Sequence, residues 1–380
     1  MTQHPSAELL FRPITLGRTT VPNRIVMAPM TRGMSPGGVP GPDVAAYYRR
    51  RAEGGVGLII TEGTWIPQAN ASNDPGVPDF FGEAALAGWA EVLRQVHAAG
   101  GTIMPQLWHI GAAPKSDVAE IYGDRPDAIG LPIGPSALGA PGQPNGRAMT
   151  QRDIDEVSEA YVRAAVSAFE LGFDGIELHG AHGYLIDQFF WDGTNLRDDA
   201  YGGDTKRRSR FAADIIRGVR AATAPDFPIL LRFSQWKIQD YNAKVWHTPQ
   251  ELEAFLTPLV DAGVDMFHCS QRRFWTPEFP GEFAESDRNL AGWTKLLTGK
   301  PTITVGSVSL DLDMTVSVYE NRPTAITGID ELYERMARGE FDMVAVGRAL
   351  LADAAWPDKV RRGAWGELRP YDNTMLATLG

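Results

Sequence analysis

Within eight residues the chain sets out a carboxylate, two imidazoles and a phenol, in the run Glu177-Leu178-His179-Gly180-Ala181-His182-Gly183-Tyr184. From Ile176 to His179 apolar and polar residues alternate, the period of a strand whose two faces meet different neighbours, so Glu177 and His179 share a side. Gly180 and Gly183 permit a sharp turn, and a helix-like spacing brings His182 back near His179 with Tyr184 close behind. One chemistry open to this cluster is a two-histidine, one-carboxylate metal site of a hydrolase or isomerase, built from Glu177, His179 and His182. For that, Glu177 must reach past a layer of side chains. The other is ligand binding outside the carboxyl end of a strand, with imidazoles and phenol pointing at the ligand. The plain alternative is a core histidine, a surface histidine and a packing tyrosine, with Glu177 bracing the barrel interior.

The elements that must position these groups follow from periodicity. Strands are expected at Arg24–Met30, Gly57–Thr64, Thr102–Trp108, Ile176–His179, Ile229–Phe233, Asp265–Ser270, Pro301–Val305 and Met343–Val346. Between them lie helix patterns at Asp43–Glu53, Glu83–Ala99, Thr150–Leu171, Lys206–Ala222, Thr248 onward and Gly328–Gly339. Thr150 with Asp153 reads as a capped start, and so does Thr248-Pro249 with Glu251; Pro258 is expected to kink or shorten the helix it sits in. Strand–helix alternation of this kind predicts a single (β/α)₈ TIM barrel spanning residues 1–380, in the α/β class, with loop excursions at the C-terminal face. Residues 111–150, rich in Gly and Pro, read as a long loop that serves as a lid or cap.

Composition narrows the function. With 43% hydrophobic and 22% charged residues in 380, the chain suits one large buried core. A formal net charge of −11 argues against nucleic acid and anionic membranes as partners. The one cysteine, Cys269, forms no intramolecular disulfide and cannot build an iron–sulfur cluster; it reads as a small buried residue. The polar start and the lack of a membrane-length apolar run predict a cytoplasmic protein, monomeric or homodimeric. Asp187, Asp192, Asp198 and Asp199 read as a solvated, turn-forming loop.

In a barrel all strand ends face one mouth, which here gathers Thr31, Gly63, Gln106, His179, His182, Tyr184 and Arg232. Gly306-Ser307 and Gly347-Arg348 follow the last two strands, where barrels commonly bind phosphate. There is no Gly-x-Gly-x-x-Gly fingerprint and no Walker loop, so a phosphorylated cofactor held in the mouth fits better than a Rossmann-bound dinucleotide.

Three motifs in order, Asn23 through Thr31, Gln106-Leu107-Trp108-His109-Ile110-Gly111, and Gly172 through Gln188 followed by Asn195, Arg197 and Tyr201-Gly202-Gly203, resemble the old yellow enzyme family. The resemblance runs from Phe11 to about Leu351. It implies an FMN-dependent ene-reductase that takes hydride from NADH or NADPH and passes it to an activated alkene. By motif, Pro29, Met30, Thr31, Gly63, Gln106, Arg232, Gly306, Ser307, Gly347 and Arg348 would contact the flavin. His179 and His182 would hold the substrate oxygen, Tyr184 would be the proton donor, and Trp108 and Trp275 would wall the substrate pocket. No metal is implied. Two stretches, 235–247 and 271–283, depart from the family pattern and leave the substrate open.

Overall fold

The computed structural model describes residues 5–72, 74–113, 131–281, 283 and 287–380. Eight strands close into a barrel in chain order: β1 (Ile25–Met27), β2 (Leu58–Trp65), β3 (Thr102–Trp108), β4 (Ile176–His182), β5 (Ile229–Lys237), β6 (Met266–Ser270), β7 (Thr302–Val305) and β8 (Met343–Val346). Each pairs with its neighbours in parallel, as strands joined by helical crossovers must. The crossovers carry α1 (Pro42–Glu53), α2 (Glu83–Ala98), α3 (Gln151–Leu171), α4 (Arg210–Ala222), α5 (Pro249–Ala262), α6 (Leu290–Thr298), α7 (Asp330–Ala337) and, after β8, α8 (Trp356–Arg361).

The barrel interior is a packed core. Val26, Leu58, Ile60, Met104, Leu230, Met266, Ile303 and Met343 form one buried cluster, and Leu16 and Val21 from an N-terminal hairpin (Ile14–Leu16 with Thr19–Val21) join it. That hairpin packs on the end of the barrel away from the carboxyl ends of the strands.

Caps set the helices that feed the site. Thr150 Oγ1 accepts from Asp153 N and Asp153 Oδ2 accepts from Thr150 N, the reciprocal box that holds the first turn of α3, worth about 1 kcal/mol. Gly172, at φ 90°, ends α3 in the left-handed region and delivers the chain into β4. Three expectations need correcting. Pro258 does not end α5, which continues to Ala262 with Pro258 buried in its wall. The Lys206–Ala222 helix is two pieces, Thr205–Arg208 and α4, because Ser209 closes the first turn by donating to Lys206 O. And β5 runs four residues past Phe233, because its end pairs with His182 across a bulge. In the described part of the expected loop, Ile133–Gly134 pairs with Arg147–Ala148 and Leu138–Ala140 with Gln143–Pro144; residues 114–130 lie outside the described residues.

Candidate active site

A cavity of about 450 Å³ opens at the strand ends. Around it stand Pro29, Met30 and Thr31 after β1, Gly63 of β2, Gln106 and Trp108 of β3, His179 and His182 of β4, Tyr184, and Arg232 of β5. Gly306 and Ser307 after β7, with Gly347 and Arg348 after β8, complete the set. Trp275 does not line it. That ring packs edge-on against Phe274 at 4.9 Å, and its carbonyl accepts from Arg335. Nor does any described residue of 131–150, so a lid role for that stretch finds no contact with the cavity.

Register explains the floor. Glu177 lies opposite Gln106, so both point inward; Gln106 Nε2 donates to Glu177 Oε1 (2.8 Å) and His268 Nδ1 to Glu177 Oε2 (2.7 Å). Both carboxylate oxygens are therefore spent one layer beneath the histidines, as a brace. No group of three or more metal-ligating side chains forms among the described residues. The two-histidine, one-carboxylate reading fails on this geometry.

One residue row further along, His179, Arg232 and His268 stand side by side across β4, β5 and β6. Beyond Gly180 the β4–β5 register slips, and His182 takes φ 67°, turning its ring back toward His179. The expected proximity is real, but a strand bulge makes it rather than a helical turn. The two imidazoles meet at right angles, 5.3 Å between centroids, and Tyr184 lies 5.0 Å from His179 and 4.7 Å from Trp108. Burial, then the Arg232 charge, hold both imidazoles well below the usual histidine range, so both are neutral. Burial likewise pushes the Tyr184 phenol up, and its proton stays on.

Several groups that shape this wall were not read from the sequence. Asp187, expected in a solvated loop, is fully buried: Lys237 Nζ donates to its Oδ1 (2.7 Å) and Gly183 N to its Oδ2 (2.6 Å), which pins the turn after His182. Lys237 also donates to Ser234 O, while Ser234 Oγ accepts from His182 N. Trp236 stacks on His182 at 4.3 Å, and Ser270 Oγ lies 2.8 Å from His182 Nε2. Ser270 ends β6, so the strand-end rule that found Gln106 could have found it. The bulge that aims Trp236 leaves no such pattern.

The chain matches the NADH:flavin oxidoreductase / NADH oxidase family over residues 9–366. It belongs to that family, the old yellow enzyme group. An NADH oxidase of Thermoanaerobacter brockii is 34% identical, covering 100% of this chain and 54% of the relative. The chain spans about half the length of the first curated relatives it matches. Morphinone reductase in complex with tetrahydroNAD superposes with a TM-score of 0.78 at 28% identity, over 97% of this chain and 93% of that one. An old yellow enzyme homologue from Zymomonas mobilis gives 0.77 at 27%, over 97% and 96%. The family is one of NADH:flavin oxidoreductases, and its morphinone reductase neighbour is seen with a tetrahydro nicotinamide dinucleotide.

The residues present fit FMN. Among the described residues, buried Arg232 Nε, Trp108 Nε1 and His179 Nδ1 have no partner, an arrangement that is costly unless a ligand supplies acceptors. Gln106 spends its amide nitrogen on Glu177, which leaves its oxygen as an acceptor. A Cβ on Gly63 would sit 2.5 Å from the Trp108 ring, and one on Gly306 2.7 Å from the Arg272 and Arg273 backbone, so glycine keeps both approaches open. Arg348, its guanidinium donating to Leu312 O (2.8 Å) and Asp313 O (3.1 Å), fixes the loop after β7 beside the glycine pairs.

Proposed function

We propose that the chain is an ene-reductase acting on an alkene activated by a carbonyl or nitro group. FMN, when bound, would supply the hydride that it has taken from a nicotinamide. The residues around it do the rest. Pro29, Met30, Thr31, Gly63 and Gln106 would hold the ring, Arg232 would offset charge beside it, and Gly306, Ser307, Gly347 and Arg348 would take the phosphate. His179 and His182 would bind the activating oxygen, where negative charge grows as the β-carbon is reduced. Preplaced neutral N–H donors stabilise that charge more than they stabilise the ground state, at about 3 kcal/mol per donor.

His182 can donate because Ser270 is placed to fix its tautomer. Arg232 Nη2 lies 3.4 Å from Ser270 Oγ, which frees the hydroxyl proton for His182 Nε2 and keeps the ring's own proton on Nδ1. Tyr184 would deliver a proton to the α-carbon, and Trp108, edge-on to it, would form the pocket wall. The observation that carries the reading is the triangle of His179, His182 and Tyr184 on one wall of a cavity whose buried donors lack partners among the described residues.

Tyr184→Phe tests it. Under anaerobic stopped flow, reoxidation of the reduced enzyme by an enone should slow about hundredfold, while flavin reduction by the nicotinamide keeps its wild-type rate. Equal loss in both half-reactions would remove Tyr184 from the donor role.

A further inference from the structure

Three arginines and no carboxylate line the cavity, Arg232, Arg272 and Arg348, in a chain whose formal net charge is −11. Two of the three have structural work inside the protein. Arg232 is buried in the row with His179 and His268 and reaches Ser270, and Arg348 holds the loop after β7 through carbonyl oxygens. Arg272 is different. It is partly exposed at the mouth, and among the described residues its guanidinium makes no hydrogen bond or ion pair. It lies over the face of Tyr241, 5.8 Å from the ring centroid, and its charge helps to hold the Asp313 carboxyl down. The nearby carboxylate of Asp313 pairs with the neighbouring Arg273 at 3.2 Å.

Arg272 is nevertheless held in place. Its carbonyl accepts from Ser307 Oγ (2.9 Å), and Phe274 N donates to Gly306 O (3.1 Å), so the loop after β6 is stapled to the end of β7. The side chain also stands at the end of a row of planar groups. Tyr241 stacks on Trp236 at 5.7 Å and 28°, and Trp236 stacks on His182 at 4.3 Å and 29°. The row leads from the imidazole at the reacting end of the cavity to a guanidinium with its donors free. Of this row Trp236 and Arg272 line the cavity, so an apolar wall leads out to a cationic fork at the mouth, which fits a ligand that is apolar along its length and anionic at its far end.

We propose that Arg272 recognises an oxyanion, carboxylate or phosphate, on the molecule that enters the cavity past Trp236. A guanidinium binds either group through paired N–H donors. Two molecules can carry it: the alkene, as a carboxylate remote from its double bond, or the nicotinamide dinucleotide, through its phosphates. The assignment of the reacting end rests on the ene-reductase reading; the assignment of Arg272 does not.

Arg272→Gln, compared with wild-type holoenzyme, separates the cases. Kd is measured for two matched pairs: a carboxylate-bearing enone against its methyl ester, titrated onto the oxidised enzyme, and NADH and NADPH against an uncharged N-benzyl dihydronicotinamide, from saturation of anaerobic flavin reduction. The ratio of anionic to neutral Kd should rise at least tenfold in one pair, the size of a charge-assisted hydrogen bond, and Arg272→Lys should recover part of it. A shift in the enone pair assigns the carboxylate, and a shift in the nicotinamide pair assigns the phosphates. If neither ratio moves, the proposal is overturned. Weaker FMN affinity on reconstitution of the apoprotein with both ratios unmoved also overturns it, by giving the guanidinium to the flavin. Should wild type reduce no enone, the ene-reductase reading falls, and the nicotinamide pair still decides Arg272.

Discussion

The floor and the rim of the cavity are built on opposite plans. On the floor, Gln106, Glu177, His268 and Arg232 are nearly or wholly buried, stand on strands, and meet through register: a change of one residue in pairing would turn each of them out of the barrel. On the rim, Trp236 lies in the bulged end of β5, and Tyr241, Arg272 and Tyr319 follow the ends of β5, β6 and β7; Tyr319 is 59% exposed. On the proposed reading the floor would meet a cofactor, whose chemistry does not vary. The rim meets whatever enters from solvent. Rigid strand ends suit the first task and exchangeable loops the second, which is why a barrel can keep one reaction while changing its substrate.

The two halves join at Lys237, and breaking that junction should have the largest effect. Lys237 and Asp187 are fully buried 2.7 Å apart; burial pushes the carboxyl up and the amine down, and their mutual attraction and the Gly183 N–H oppose that. Lys237→Met leaves an uncompensated buried carboxylate beneath the turn that aims His182, and should cost about 3–5 kcal/mol of stability. Adding Asp187→Asn should return much of it, because the pair replaced whole is far less costly than the pair halved. Urea unfolding of the two variants and wild type checks this, and a Lys237→Met variant as stable as wild type would show that floor and rim are not joined there.

Next in size is the comparison of the histidines themselves, since His179 belongs to the floor row and His182 leans on the rim through Trp236 and Ser270. If both bind one oxygen, His179→Ala and His182→Ala should each weaken a phenol's charge-transfer complex by about two orders of magnitude. Either variant keeping wild-type affinity would split the pair and leave the oxygen to one half of the cavity.

How much of this was legible follows the same division. Periodicity locates strands, a closed parallel barrel sends every strand end to one mouth, and so Thr31, Gly63, Gln106, His179, Arg232 and Arg348 can be gathered from distant stretches without coordinates. Glu177 was read as a brace from its side of β4, and its two bonds show what it braces. Trp275 misleads because an aromatic after a strand end looks the same whether it turns into the cavity or against Phe274. Asp187 misleads because its partner, Lys237, is 50 residues away, and a lone aspartate near glycines has the composition of a turn. Trp236 and His182 come together through a register slip, which depends on long-range pairing and leaves no local signature.

The smallest prediction concerns a third kind of region, a loop that belongs to the floor because a floor carboxylate holds it. Glu62 of β2, 2% exposed, accepts from Arg32 N (2.8 Å) and Gly33 N (2.9 Å) through Oε2 and so fixes the turn that presents Thr31 to the cavity. Burial pushes its carboxyl from an ordinary 4.5 to about 7, against the pull of those two N–H groups and Arg32, with Asp74 adding to the rise. Between pH 4.5 and 7 the folded chain therefore holds a proton that the unfolded chain has lost. The sign is that stability falls as pH rises through this window, by at most about 1.4 kcal/mol per pH unit from this group, and this contribution is level on either side. Glu62→Gln keeps an acceptor for Arg32 and Gly33 but cannot titrate. The difference in thermal midpoint between variant and wild type should thus grow in the variant's favour from pH 4.5 to 7 and stay constant above it. A difference that does not change with pH across that window would mean that Glu62 stays charged when folded, and that the turn carrying Thr31 is held by an ion rather than by a neutral acid.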